Sequence, residues 1–159
     1  LSALVLLIVA LYDILPSSEL NDMNAIIVFK IICIYASFAF ITTLIREIVK
    51  DLEDLEGDQE MGYQTYAIVR GKKKTKNILQ ILSLTTIFGI AWILYSQFQD
   101  DLYSFLYVLF FVESPLIYFV WKLKKAEKSS DFYLLSILIK IIMLTGTLSM
   151  LVFSLLMNV

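Results

Sequence analysis

Residues 24–58 read NAIIVFKIICIYASFAFITTLIREIVKDLEDLEGD, an apolar block that passes directly into a cluster of charged residues. The block has the length of about 20 residues that an α-helix needs to cross a bilayer. Seven of the 15 acidic residues of the chain fall between Glu47 and Glu60. Because Gly57 is the first Gly or Pro of this stretch, we expect one helix to span the membrane and to end near Gly57.

The whole chain has the composition of a helical membrane protein. Of its 159 residues, 59% are hydrophobic, above the roughly 45–50% of a soluble domain, and they occur in long blocks. Such blocks predict transmembrane helices, because a helix satisfies its own backbone hydrogen bonds in lipid.

Apolar blocks of spanning length lie at 24–44, 78–98, 102–123 and 132–157. The block at 1–15 is shorter, and we interpret it as an incomplete span. A signal peptide is less favoured there, because no basic residues precede the block. The predicted fold class is therefore all-α: a single transmembrane domain fragment over 1–159 with about five spans, the first of them truncated.

The connections between the blocks alternate in charge. Those at 16–23 and 99–101 carry acidic residues without Lys or Arg, whereas those at 45–77 and 124–131 are rich in basic residues. By the positive-inside rule the basic connections face the cytoplasm. We therefore expect the loop at 45–77, with its Asp-rich motif, on the cytoplasmic side.

Composition also limits the chemistry. The chain has no His and one Cys, Cys33, which excludes His-based catalysis and Cys-based metal clusters. A net charge of -2, with basic residues next to the spans, argues against nucleic-acid binding. The lysines at 72–76 and 122–128 are interpreted first as topological anchors and second as attractors of anionic lipid or diphosphate. Any catalysis must therefore depend on carboxylates.

Four carboxylates of the cluster share one helical stripe. Glu47, Asp51, Asp54 and Asp58 follow one another at positions i, i+4, i+7 and i+11. Stacked carboxylates repel one another unless a cation lies among them, and hard oxygen ligands suit Mg²⁺. A solvated acidic face is the alternative, but negative charge at a helix C-terminus is unfavourable, which favours a metal site.

Basic residues lie beside this stripe. Arg46 and Lys50 are one helical turn apart and could contact a diphosphate directly. Together with Glu47, they are the candidate substrate-binding residues, whereas Asp51, Asp54 and Asp58 are the candidate catalytic and metal-binding residues.

The stretch from Arg46 to Gly71 resembles the second Asp-rich motif of the UbiA superfamily of intramembrane prenyltransferases, through residues 51–58, Gly62, Thr65 and the Val69-Arg70-Gly71 step. The family has nine transmembrane helices, with Asp-rich motifs after the second and the sixth. The resemblance implies that this chain is the C-terminal half, spans five to nine, and that an N-terminal half completes it. Thr65-Tyr66-Ala67 departs from the Thr-Leu-Pro that is frequent in the family.

The resemblance implies that Asp51, Asp54 and Asp58 bind the Mg²⁺ that bridges to a prenyl diphosphate. It also implies transfer of the prenyl group to a lipophilic acceptor by an integral protein of a prokaryotic cytoplasmic membrane, in contact with membrane lipids. The motif is most similar to the branch that adds geranylgeranyl groups to geranylgeranylglyceryl phosphate; aromatic acceptors of the quinone or chlorophyll type are the alternative. Without the first motif the fragment is expected to be inactive.

A non-enzymatic cation channel or transporter is the alternative of another class. It would need polar residues along several spans, yet apart from Lys122 at the end of its block only Lys30, Glu113 and Lys140 are charged within them. Glu113 and Lys140 lie at similar depth, and we expect them to pair, with Pro115 loosening the helix nearby. The alternative is that Lys140 extends to the headgroups and that Glu113 is protonated.

Overall fold

The computed structural model describes residues 23–97 and 102–157, and all regular structure within these ranges is helical. In chain order the helices are α1 (Met23–Glu53), α2 (Leu55–Glu60), α3 (Tyr66–Arg70), α4 (Lys72–Gln97), α5 (Leu102–Val108), a π-helical turn (Leu109–Glu113), α6 (Ser114–Lys125) and α7 (Ser129–Met157). The all-α prediction is confirmed.

Four helical segments in the described part of the chain are long and apolar enough to cross a membrane: Phe29–Glu53, Lys72–Ser96, Leu102–Lys125 and Ser129–Met150. They coincide with the four full-length blocks predicted from the sequence. The predicted incomplete span at 1–15 lies outside the described residues. The chain divides into two compact units, Leu1–Thr43 and Leu44–Val159, and a single domain over 1–159 stays a prediction.

In the first unit, hydroxyl side chains of α1 bond back to the helix. Ser37 donates to the Cys33 carbonyl and Thr42 to the Phe38 carbonyl, each at 2.7 Å. Bonds of this kind let polar side chains lie in an apolar helix without an unpaired donor.

In the second unit, α6 packs against both α4 and α7. The fully buried side chains recur three and four residues apart, which places them on one face of each helix: Leu116, Phe119 and Leu123 on α6, and Phe132, Leu135, Ile139 and Ile142 on α7. Large apolar side chains such as Phe88 and Trp92 are exposed, as expected of helices whose outer face meets lipid.

The third span contains the π-helical turn, directly before Pro115. Proline has no N–H, so the Phe111 carbonyl lacks its usual helical donor. The Thr145 hydroxyl of α7 takes that place at 2.7 Å, and the Tyr107 hydroxyl donates to the Thr145 carbonyl at 3.1 Å. The prediction that Pro115 loosens the helix is confirmed, and bonds between helices compensate for the lost one.

The predicted pairing of Glu113 with Lys140 is wrong. Glu113 is buried, Lys140 is exposed, and no ion pair joins them among the described residues. Lys140 follows the buried Ile139, so a rotation of about 100° per residue turns it away from the inner face of α7. Its exposure agrees with the alternative, in which the long side chain extends toward the headgroups.

Candidate functional site

The Asp-rich motif occupies the end of α1, all of α2 and the turn before α3. Helix α1 ends at Glu53 rather than near Gly57, and Asp54 has φ -90° and ψ 4°. The backbone still follows a helical path, because Asp54 N–H donates to the Lys50 carbonyl and Asp58 N–H donates to the Asp54 carbonyl, both at 2.9 Å. Asp54 therefore marks a local bend, and the residues after it continue the helical hydrogen-bonding pattern.

Gly62, not Gly57, is the glycine at which this helical path stops. Gly62 has φ +74°; its N–H donates to the Gln59 carbonyl at 3.2 Å, and Tyr63 N–H donates to the Asp58 carbonyl at 2.9 Å. These two bonds form a Schellman motif, which requires a left-handed residue. The prediction that Gly57 ends the helix is wrong, because continued hydrogen bonding outweighs the ~0.5–1 kcal/mol that glycine costs within a helix.

The four predicted carboxylates remain neighbours across the bend. The Asp51 carboxylate is close enough to those of Asp58, Glu47 and Asp54 for the negative charges to repel one another. Asp51 is half-buried and also interacts with the backbone N–H of Tyr66, the first residue of α3. The motif therefore forms a concentrated negative site that includes the start of α3.

Basic side chains neutralise little of this charge. Arg46 pairs with its neighbour Glu47, and this is the only ion pair within residues 23–97 and 102–157. Lys50 is exposed and does not pair with the adjacent aspartates. Asp51, Asp54 and Asp58 consequently lack an ion-pair partner among the described residues, although Arg46 and Lys50 lie within the same segment.

Two polar atoms of the motif are buried without a hydrogen-bond partner, Arg46 Nε and Thr65 Oγ1. Thr65 precedes α3 at the N-cap position, yet its hydroxyl makes no capping bond. Buried polar atoms are rarely left unpaired, so these two atoms are exceptions within the motif. Thr65 belongs to the stretch that carries the family resemblance, but no binding role was predicted for it; its place before a short helix, at a position that favours Thr, was the available signal.

The carboxylate oxygens of the motif fit a divalent cation that binds together with a phosphate-bearing substrate. No group of three or more Asp, Glu, Cys or His side chains in the described ranges is close enough to hold a metal ion unaided. Magnesium usually binds through only one or two carboxylates and takes its other ligands from phosphates and water. The aspartates, the repulsion between them and the unpaired Arg46 Nε match that requirement.

Hydrogen bonds place the two basic connections at one end of the bundle. The Ser129 hydroxyl, at the start of α7, donates to the Glu53 carbonyl at the end of α1, at 2.8 Å. The Lys76 ammonium, in the first turns of α4, donates to the Ala126 carbonyl after α6 at 2.7 Å. The Asp-rich motif and the lysines after α6 therefore lie at the same end, as the charge alternation predicts.

Several aromatic side chains of the described spans are exposed. Tyr118 stacks on Trp121 with ring centroids 5.9 Å apart, and Phe40, Trp92 and Tyr118 are all exposed. Exposed rings of this kind are typical of lipid contact.

Comparison with known proteins identifies the family. The chain matches the model of the UbiA prenyltransferase family over residues 2–156. It is 35% identical over 81 residues to the digeranylgeranylglyceryl phosphate synthase of Methanosphaera stadtmanae, covering 51% of this chain and 28% of that protein. It is 45% identical over 56 residues to the synthase of the same name from Korarchaeum cryptofilum, covering 35% and 20% of the two chains.

The corresponding protein of Pyrococcus horikoshii is 47% identical over 49 residues, which cover 31% of this chain and 18% of that one. The matched region thus spans less than a third of the length of each of these relatives. No solved structure matches the chain significantly. Because the family match extends over nearly the whole sequence, this chain belongs to the UbiA prenyltransferase family.

Proposed function

We propose that this chain supplies one of the metal and diphosphate sites of a Mg²⁺-dependent prenyltransferase. The observation that carries the proposal is the closeness of Asp51 to Asp54 and Asp58, none of which forms an ion pair with a basic side chain in the described part of the chain. Membership of a prenyltransferase family favours this enzyme over a channel or transporter.

In this mechanism one or two of the carboxylates of Asp51, Asp54 and Asp58 would hold the cation, and Arg46 and Lys50 would donate to the oxygens of the diphosphate. When bound, Mg²⁺ supplies Lewis-acid stabilisation of the leaving group. The bond between the prenyl C1 and the diphosphate oxygen breaks, and its electron pair leaves with the diphosphate. An acceptor hydroxyl oxygen forms the new bond to C1 and releases its proton, while the apolar helices keep water from the reacting carbon.

The proposed acceptor is geranylgeranylglyceryl phosphate, and the proposed donor is geranylgeranyl diphosphate. The names of the matched relatives support this choice over an aromatic acceptor of the quinone or chlorophyll type. We further propose that the motif faces the cytoplasm of a prokaryote, on the basis of the alternating charges of the connections.

The direct test supplies the complete protein with labelled geranylgeranyl diphosphate and with one of two acceptors, geranylgeranylglyceryl phosphate or an aromatic quinone precursor. The labelled product is then measured. We expect product only from the glyceryl phosphate, loss of turnover with a chelator, and recovery when Mg²⁺ is restored. Turnover that persists in excess chelator would contradict the metal assignment, and transfer to the aromatic acceptor alone would contradict the proposed acceptor. Residues 1–159 by themselves should give no product.

A further inference from the structure

An open pocket of about 490 Å³ lies at the N-terminus of α4, against the connection between α6 and α7. Lys72, Lys73 and Lys76 of α4 and Lys124 of α6 line it, and Glu127 is its only acidic lining residue. We refer to this site, defined by its four lysines, as the lysine pocket. It is separate from the aspartates of the proposed active site.

The walls of the lysine pocket are held by hydrogen bonds. Lys76 Nζ donates to the carbonyls of Ala126 at 2.7 Å and Lys124 at 3.2 Å, and Lys72 Nζ donates to the Glu127 carbonyl. Asp131 accepts hydrogen bonds from the backbone N–H groups of Glu127 and Lys128, both at 3.0 Å, which holds the connection in place. Hydrogen bonds therefore hold Lys72, Lys76 and the connection between α6 and α7 in place, and Lys73 and Lys124 add exposed ammonium groups to the same pocket.

These contacts leave the positive charge uncompensated. Carbonyl oxygens accept a proton from an ammonium but carry no full charge, and each ammonium has three donors. The first turn of α4 has no acidic residue, although a helix N-terminus favours negative charge. None of the four lysines forms an ion pair within the described part of the chain. Four lysines and a single acidic residue, Glu127, therefore give the pocket a net positive charge that favours an anionic ligand.

Topological anchoring alone does not account for this convergence. The positive-inside rule requires basic residues near the ends of spans but does not require them to surround one pocket. Lys122 and Lys125 do not line the pocket and lie over the rings of Tyr118 and Trp121, at 5.9 and 4.0 Å from the ring centroids. Lys72 also lies over a ring, that of Phe132 at 5.3 Å, but it lines the pocket together with three other lysines.

Its position indicates the class of anion. One candidate span begins at Lys72 and another ends at Lys125, so the pocket lies where lipid headgroups meet the protein. The exposed rings of Tyr118 and Trp121 are next to it in sequence and are typical of the membrane interface. Basic pockets between spans at this level bind phosphate-bearing headgroups.

We propose that the lysine pocket binds the phosphate of an anionic lipid headgroup. This inference does not depend on prenyl transfer. A phosphate group could come from a membrane phospholipid, from free inorganic phosphate or from the proposed prenyl-transfer substrates, and the proposal commits to the membrane phospholipid.

The test compares two double variants of the complete protein that remove the same charge. Lys73→Gln with Lys124→Gln removes pocket lysines that are exposed and make no side-chain hydrogen bond or ring contact with described residues. Lys122→Gln with Lys125→Gln removes the neighbouring anchors instead. Each protein, in neutral detergent, is titrated with phosphatidylglycerol, phosphatidylcholine or inorganic phosphate, and bound ligand is measured by native mass spectrometry.

We expect wild type to prefer phosphatidylglycerol to phosphatidylcholine and the pocket variant to lose about thirtyfold in affinity for it, with a much smaller loss in the anchor variant. Equal losses in the two variants would reduce the effect to general surface charge and overturn the proposal. Equal binding of phosphatidylcholine would do the same. Binding of inorganic phosphate as tight as that of phosphatidylglycerol would refute the lipid as the ligand. Thermal melting of each variant confirms that it is folded.

Discussion

The π-helical turn before Pro115 and the Asp-rich motif around Asp54 are both interruptions of a spanning helix, but they treat their polar groups in opposite ways. Near Pro115 the Phe111 carbonyl lacks a helical N–H donor, and it accepts a hydrogen bond from the Thr145 hydroxyl instead. At the motif the backbone bonds are kept, whereas Arg46 Nε and Thr65 Oγ1 remain unpaired and the aspartates face one another.

This difference distinguishes a region that stabilises the fold from a region that binds a ligand. A region that serves the fold gains by pairing every buried polar group, because an unpaired one costs about 1–3 kcal/mol. A region that binds a charged ligand must keep donors and acceptors available until the ligand arrives. Changes at the π-helical turn should therefore cost stability, whereas changes at the motif should cost turnover.

The largest effect is expected from Asp54→Asn and Asp58→Asn in the complete protein. Each removes one charge from the proposed metal site and should reduce kcat/KM by about two or more orders of magnitude. The melting temperature should not fall, since each variant also relieves repulsion among carboxylates. Turnover and thermal melting are measured on the same preparations.

Glu56→Gln is the matched control for the aspartate variants, because Glu56 is exposed on α2 and outside the four-residue stripe. It should retain turnover within about threefold, as expected for a surface substitution that contributes little energy. Wild-type turnover in Asp54→Asn and Asp58→Asn, or a comparable loss in Glu56→Gln, would refute the assignment of the site.

Thr145→Val tests the π-helical turn, the region in which the polar groups are paired. The variant keeps the shape of the side chain but removes the donor to the Phe111 carbonyl, and a hydrogen bond between membrane helices contributes about 0.6–1.7 kcal/mol. The complete protein should unfold at lower temperature, and its dependence on Mg²⁺ concentration should be unchanged. Thr147→Val is the control, because Thr147 bonds only within its own helix; equal destabilisation by both would remove the role of Thr145.

Gly62→Ala and Gly57→Ala should change stability in opposite directions. At Gly62, with φ +74°, a side chain costs about 1–2 kcal/mol. At Gly57, in a helix and with open space around it, alanine should stabilise by roughly 0.5–1 kcal/mol. Thermal melting of the two variants measures the difference. If both substitutions changed the melting temperature in the same direction, the helical path would not end at Gly62.

Lys140→Gln should have the smallest effect, within about 0.5 kcal/mol, since an exposed side chain without an ion pair stabilises little. Chemical or thermal unfolding of the complete protein measures it. A loss of several kcal/mol, as for the removal of one partner of a buried pair, would restore the pairing with Glu113.

Features that depend on short stretches of chain could be predicted from the sequence. The spans follow from the length and hydropathy of each block, and the neighbourhood of Asp51, Asp54 and Asp58 follows from helical spacing alone. The roles of these aspartates stay a prediction. The position of the helix stop could not be predicted in this way, because it depends on the path the chain takes after Gly62.

Three features are evident from the amino-acid sequence alone, because each depends on local composition or on periodicity: the all-helical membrane class, the shared end of the basic connections and the grouping of the carboxylates. Three others appear only in the folded chain: the exposure of Lys140 while Glu113 is buried, the hydrogen bond from Thr145 to the Phe111 carbonyl and the pocket lined by four lysines. These contacts depend on how far each helix is rotated about its axis, and packing against neighbouring helices sets that rotation.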